Sequence, residues 1–498
     1  MAQISFGQND LRKALLRVPR PAVGARNLYD MLRITCVKML PSFCTRHAIF
    51  QLLGKELISC LAQQVQVKSH RHLRKCFNKH PPFQFDEALL SGSWSEGLTM
   101  HQVQFDTHAE LSDIDFMCIL KNISFSEEDQ ACDNLTVKED TPFVNAYIAK
   151  PELLKMWEDF LEDPSTDKIK RQLSSRKLKA MMHENYKKMG GSLPQPFVKW
   201  KTIGDGPAFE LKREIPKFDP VDPLDYMENT ITNKMIASRD IILSIRCDGW
   251  PRCAWEWLTR TRHWPDENLV QKICQEGFHI VPKSSPEGDF RLSFSSAETT
   301  LIENLTPLQH KVIRAFKAVI KYHQSNWSPN IKDIICTYHL KTIAFWHIEK
   351  TTQDSWTEDN VVSHLLSLIE EFAEALRNGD LPMYFLPKYN LLGKVENCEE
   401  MKTISDKVAE LSKDIPAITT AINRVANTTP AYIVLSDVCY AVEIMESGLK
   451  GFDESVTNVE LSKEKKDLLK LFMNSADDNL FYCSKKLKNQ NEKFITLD

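Results

Sequence analysis

Two aspartates two residues apart, at the mouth of an apolar run, limit what this chain can become more than any other feature. In SGSWSEGLTMHQVQFDTHAELSDIDFMCIL, Ser91 to Leu120, Asp113 and Asp115 stand where DFMCIL begins. On a strand successive side chains point to opposite faces, so these two carboxylates share one face while Ile114 and Phe116 take the other. Like charges that close repel. The fold must therefore set a divalent cation, a fixed basic partner or open solvent against them.

At 498 residues with 42% apolar composition the chain can bury a large core, which suggests two to four domains or one large bilobal one. A net charge of -4 excludes a general pull towards nucleic acid or membrane. Charge is nonetheless segregated: residues 1–80 carry fourteen Lys and Arg against Asp10, Asp30 and Glu56, about +11, and the remainder about -15. Thirteen cysteines without a CxxC pair read as reduced thiols and not as a disulfide framework. With no signal-like start and no bilayer-length run, the expectation is a cytoplasmic or nuclear protein without a membrane partner.

Apolar residues at spacings of three and four make residues 1–84 a basic helical segment, with DLRKALLRV, NLYDMLRITCVKML and IFQLLGKELISCLAQQV as its helices. Strand-like runs dominate residues 85–304: DFMCIL, PAFELKREI, RDIILSIRC, HIVPK and FRLSFS, with a helical insertion ending at Gly190-Gly191. A helical C-terminal lobe follows over residues 305–395, then a helical extension, 396–498, without a readable motif. The fold class expected is α+β with a mixed sheet.

Nucleotidyl transfer uses two divalent ions about 4 Å apart, and so asks for three carboxylates. Asp113 and Asp115 supply two from one strand. Asp240 in RDIILSIRC is the candidate third, again an acid where buried strand begins. Gly92-Ser93 supplies a tight turn whose amides and hydroxyl can approach phosphate. Each feature has an ordinary reading, as loop or solvated strand edge. Their order is what carries the argument.

The stretches GSWSEG, SDIDFM, GPAFEL, DGWPRCAWEWLTR with RHWP, HIVPK, FRLSFSSAE, CTYHLKTIAFW and MYFLPKYNLLG together resemble the male-abnormal (mab) nucleotidyltransferase-fold family, whose enzymatic branch holds the cyclic GMP-AMP synthase-like receptors. The resemblance implies a bilobal enzyme: a nucleotidyltransferase core with a long spine helix, and a helical lobe closing the cleft. It implies Asp113, Asp115 and Asp240 as catalytic ligands of two Mg2+ or Mn2+ ions, and Gly92, Ser93, Arg291, Ser293, Glu298, Lys317 and Tyr338 around ATP or GTP. Tyr338 offers a flat surface for a purine, and Arg291 and Lys317 can meet phosphate.

Vertebrate cyclic GMP-AMP synthases, which belong to the same branch, carry a zinc-binding insertion of one His and three Cys after the SFS strand, whereas FSSAETTLIENLTPLQHKVIRAFK runs on without cysteine. No structural zinc is expected, and the implied activator shifts from duplex DNA to double-stranded RNA or an unknown ligand. Eight basic residues lie between Lys168 and Lys188, and on one helix Lys168, Arg171, Ser175 and Lys179 would stack into a cationic stripe, with Arg176 beside it, able to follow phosphates. The leading expectation is a nucleic-acid-activated synthase of a cyclic GMP-AMP-like messenger in innate immune sensing, dimeric on its nucleic acid. A non-catalytic mab-type scaffold or nucleic-acid-binding protein is the alternative, and a linear polymerase of the same fold the third.

Overall fold

The two apolar runs that open on aspartate become adjacent strands at the centre of a mixed sheet. The computed structural model describes residues 2–18, 82–98, 100, 102–104, 108–110, 114–163, 169–190, 199–200, 208–215, 235–286, 288–393 and 398–426. Among these, β1 (Phe85–Ser91), β2 (Ile114–Phe125), β3 (Phe143–Ile148), β4 (Ala208–Ile215), β5 (Met235–Cys247), β6 (Phe278–Ser285) and β7 (Gly288–Ser293) belong to one sheet, ordered β1-β2-β5-β6-β7-β3. The β2–β5 pair is parallel, and β4 lies antiparallel to the first half of β5. Those central strands are rich in β-branched and aromatic residues, which suit a sheet packed on both faces.

Alternation along β5 buries Ile241, Leu243 and Ile245 and leaves Asp240 and Arg246 partly open on the other face. Against the sheet lies α3 (Ser175–Gly190), anchored by buried Leu178 and Met182 and by its first amide, which donates to the Asp289 carboxylate at 3.3 Å. After β7 the chain turns at once into α4 (Ser295–Glu303) and, three residues later, α5 (Pro307–Gln324). Thr306 and Gln309 cap α5 reciprocally, satisfying two amides that the first turn would leave bare.

The helical lobe adds α6 (Thr337–Lys350), α7 (Val361–Asn378), α8 (Cys398–Leu411) and α9 (Ile415–Ala421). Its interior, with Phe316, Ile320, Leu365, Ile369 and Phe372, is continuous with that of the sheet lobe. The amino-terminal helix α1 (Ala2–Arg17) lies on this lobe, with Leu11 and Leu15 fully buried and the Lys311 ammonium donating to the Leu16 carbonyl. The other helices expected before residue 82 lie outside the described residues, as does most of the carboxy-terminal extension. Among the described residues no helix is long and apolar enough to cross a membrane.

Candidate active site

Register brings two of the three predicted carboxylates together. In the parallel β2–β5 pair, Asp240 is the direct partner of Asp115, so two carboxylates from strands more than a hundred residues apart in sequence stand at one height on one face. Asp113, the remaining predicted carboxylate, lies outside the described residues. Two aspartates present only oxygen, which suits a hard divalent ion such as Mg2+ or Mn2+. Among the described residues, no group of three or more His, Cys, Asp or Glu is arranged to hold a metal.

The Gly-Ser turn meets this pair end-on. Ser91, last residue of β1, pairs with Asp115, and the chain then turns through α2 (Gly92–Ser95). Gly92 has φ +66, and a Cβ built there would sit 2.0 Å from Asp115 Oδ2. Only glycine combines that handedness with that approach. The turn is closed by its own bonds, Ser95 Oγ to the Gly92 carbonyl at 3.0 Å and the Leu98 amide to the Ser93 carbonyl at 2.8 Å.

From the helical lobe, Lys317 on α5 donates to Ser93 Oγ and to the Leu98 carbonyl, both at 2.7 Å. Burial pushes its ammonium down to about 7, with the charges of Lys321, Lys341 and Arg314 adding to the effect and Glu96 opposing it. Lys341 on α6 behaves in the opposite way. It too is buried, which works against its charge, yet Glu298 and Glu96 together hold it well above the ordinary lysine range. Its Nζ donates to Glu96 Oε1 at 2.7 Å and to Glu298 Oε2.

Tyr338, one turn earlier on α6, is half-buried, with the Lys341 Nζ 5.8 Å from its ring centre. Burial and the neighbouring Glu298 raise its hydroxyl far above the usual phenol range, while Arg291 pulls it back. Gly92, Ser93, Glu96, Asp115, Lys317, Tyr338 and Lys341 line a cavity of about 110 Å³, closed on its apolar side by Ile313, Phe316 and Leu340. That is smaller than the roughly 300 Å³ at which small-molecule sites begin, so a nucleotide needs the Lys341–Glu contacts or the Tyr338 ring to give way.

Arg291 and Ser293 reach the same sheet face by register. Arg246 on β5 pairs with His279 on β6, which pairs with Ser293 on β7, and Arg291 pairs with Val281. Ser293 Oγ lies 3.0 Å from Ser295 Oγ at the head of α4, the helix that carries Glu298. Of the seven predicted nucleotide residues, Gly92, Ser93, Lys317 and Tyr338 line the cavity, Glu298 is joined to it through Lys341, and Arg291 and Ser293 stand on the sheet face that carries Asp240. Sequence reasoning missed Glu96 and Lys341. Glu96 sits in the quoted GSWSEG and Lys341 in TYHLK, three residues after Tyr338, a helical spacing that would have placed Lys341 and Tyr338 on one face.

The basic stripe does not form as expected. The helix starts at Ser175, and Arg171 stands before it in a two-residue strand, Arg171–Gln172, paired with Tyr147 and Ile148 of β3. Its Nε and Nη2 donate to the Glu162 carbonyl at 3.2 and 2.8 Å. Completing the edge of β3 outweighs helix propensity here, and the Asp289 carboxylate fixes where the helix can begin. Arg176 and Lys179 are on α3, Arg176 with 78% of its side chain exposed and 3.9 Å from Glu162. Lys168 lies outside the described residues.

Residues 115–304 match the Mab-21 protein nucleotidyltransferase domain, and residues 308–410 match the Mab-21 protein HhH/H2TH-like domain. The chain is 31% identical over 186 residues to a cyclic GMP-AMP synthase-like receptor of Magallana gigas, covering 35% of this chain and 31% of that protein. It is 29% identical over 161 residues to the protein mab-21-like 3 of Danio rerio, covering 32% of this chain and 40% of that one. A cyclic GMP-AMP synthase of Mus musculus is 28% identical over 184 residues, covering 33% and 36%. The match thus spans about a third of each of these relatives.

Proposed function

The chain belongs to the Mab-21 nucleotidyltransferase family, and on that premise we propose that it joins ATP, GTP or both into a cyclic dinucleotide of the cyclic GMP-AMP kind, as a messenger in innate immune sensing. One observation supports this above others: Asp240 stands beside Asp115 in parallel register, with the Gly92 backbone against the Asp115 carboxylate and a buried lysine on the Ser93 hydroxyl. An acid pair beside a Gly-Ser turn that a buried lysine holds is the arrangement a triphosphate site requires.

Asp115 and Asp240, with Asp113, are the residues that would hold the divalent ions. Bound there, such ions lower the pKa of an attacking hydroxyl and neutralise the triphosphate. The chain's own groups do the rest. The turn and Ser93 Oγ orient phosphate oxygens. Lys317, held near neutrality by burial, gains its full charge when a phosphate arrives. Tyr338 presents its ring to a purine, and Arg291 and Ser293 face phosphate or sugar from β7. Ile313, Phe316 and Leu340 exclude water from the phosphate end.

The activator proposed is double-stranded RNA, met by the exposed Arg176 and by Lys179 on α3, with recognition of backbone and not of sequence. The test is to incubate the purified chain with labelled ATP, GTP, CTP and UTP and Mn2+, alone and with duplex RNA or duplex DNA, and to resolve phosphatase-resistant products. A cyclic product raised by RNA supports the reading. No product under any condition returns the chain to the scaffold alternative, and linear products to the polymerase one.

A further inference from the structure

Helix α5 holds three consecutive backbone carbonyls of the segment that follows the Gly-Ser turn. His310, Arg314 and Lys317 recur at intervals of four and three, which places them on one stripe of the helix. His310 Nε2 lies 3.0 Å from the Glu96 carbonyl, Arg314 Nη1 donates to the Gly97 carbonyl at 3.3 Å, and Lys317 donates to the Leu98 carbonyl at 2.7 Å. Facing a carbonyl, His310 Nε2 carries its ring hydrogen. His310 and Arg314 are both fully buried. Burial pulls the Arg314 guanidinium down to about 10, the mark of a charge placed where it is costly.

The segment they hold is a small body of its own. Between Gly92 and Leu98 the chain is closed by the Ser95, Glu96 and Leu98 bonds back to Gly92 and Ser93. Its upstream joint to the sheet is Gly92, with φ +66 and no side chain, and downstream the chain leads on to the short strand Gln102–Gln104. To the helical lobe it is tied at three carbonyls, at Ser93 Oγ and at the Glu96 carboxylate. A body fastened on one side by five polar contacts and hinged on the other by a glycine moves with the side that holds it.

We propose that His310 and Arg314 are positioning residues, which fasten the Gly92–Ser93 turn to the helical lobe, so that any shift of α5 relative to the sheet carries the turn across the Asp115–Asp240 pair. The functional consequence rests on the turn being the phosphate-binding element. The mechanical one does not. Approach of α5 to the sheet closes the distance between turn and carboxylates, and withdrawal opens it, with no contact between His310 or Arg314 and the nucleotide itself.

Hydrogen exchange read by mass spectrometry tests the fastening, and calorimetric titration with Mg2+ and ATP tests its use. In His310→Leu, exchange in residues 92–98 rises roughly three- to tenfold, the equivalent of one net hydrogen bond, while β5 keeps its wild-type protection. His310→Gln, whose amide can donate to the same carbonyl, restores it. ATP affinity follows the same order, weaker in the Leu variant and recovered in the Gln variant. Arg314→Lys, which keeps the charge but changes the reach, gives the second reading where the Leu variant fails to fold, with raised exchange again confined to residues 92–98. Unchanged exchange at 92–98 in a folded variant, or a rise spread equally over the sheet, overturns the proposal. Should the wild type bind no ATP, the nucleotide reading fails, and the exchange arm still decides whether the two residues fasten the turn.

Discussion

Replacing Gly92 by alanine applies two separable stresses whose sizes follow from the structure. The first is backbone: at φ +66 a residue with a Cβ costs about 1–2 kcal/mol. The second is contact. The new Cβ would lie 2.0 Å from Asp115 Oδ2 where ordinary contact begins at 3.4 Å, so the carboxylate must retreat by more than about 1 Å. Misplacement of that size at a reacting centre costs on the order of a hundredfold in rate. Gly92→Ala should therefore lose about 1–2 kcal/mol in urea unfolding, plus whatever the displaced carboxylate adds, and about two orders of magnitude in product formation. Asp115→Ala in the same chain removes the clash but not the φ cost. The double-variant cycle should then show a coupling of about 0.5–3 kcal/mol, the pair being less destabilised than the sum of the singles. Additive singles, or a Gly92→Ala chain as stable and active as wild type, would refute the close approach of turn and carboxylate on which the site is built.

Lys341→Met leaves Glu96 and Glu298, whose side chains are 2% and 8% exposed, without their cation, and should cost about 3–5 kcal/mol in denaturant unfolding. Wild-type stability relative to a Lys317→Met variant should rise as pH goes from about 7 towards the ordinary value of 10.5, because over that window the unfolded lysine holds a proton the folded one has lost. For the same reason, nucleotide binding at pH 8 should take up a proton, seen as a dependence of the calorimetric heat on buffer ionisation, and uptake should vanish well below pH 7, where Lys317 is already charged. Arg176→Glu with Lys179→Glu should abolish duplex RNA binding, whose wild-type affinity falls steeply between about 50 and 200 mM salt. A salt-independent affinity would make α3 a solvated surface.

Strands β2, β4, β5, β6 and β7 were legible as short apolar runs bounded by turn residues, and the pairing of Asp115 with Asp240 followed from each standing where such a run turns buried; β1 (FDEALLS) and β3 (FVNAYI) were not read, being short and broken by polar residues. Gly92 was legible as part of a Gly-Ser pair, the residue types of a tight turn, although the strand that leads into it and its positive φ came only with the structure. The basic stripe failed because helix periodicity in DKIKRQLSSRK carries no information about a neighbouring edge. Tyr147 and Ile148 needed a partner, and Arg171 and Gln172 supplied it. Glu96 and Lys341 escaped notice because their meeting is 245 residues long in sequence and leaves no periodic trace. Charge balance across residues 1–84 likewise hid that α1 lies on the helical lobe, since its apolar face, Leu11, Ala14 and Leu15, is set by packing and not by net charge.

If Asp115 and Asp240 together form a metal-dependent nucleotidyl-transfer site, comparing wild type with Asp240→Asn for conversion of labelled ATP and GTP in Mn2+ and duplex RNA decides it. Wild type should give phosphatase-resistant product that disappears with a chelator, and the variant should lose activity on the order of a thousandfold or more while remaining folded. An Asp240→Asn chain that makes product at the wild-type rate, or a wild type whose product forms equally well in the presence of chelator, would contradict it.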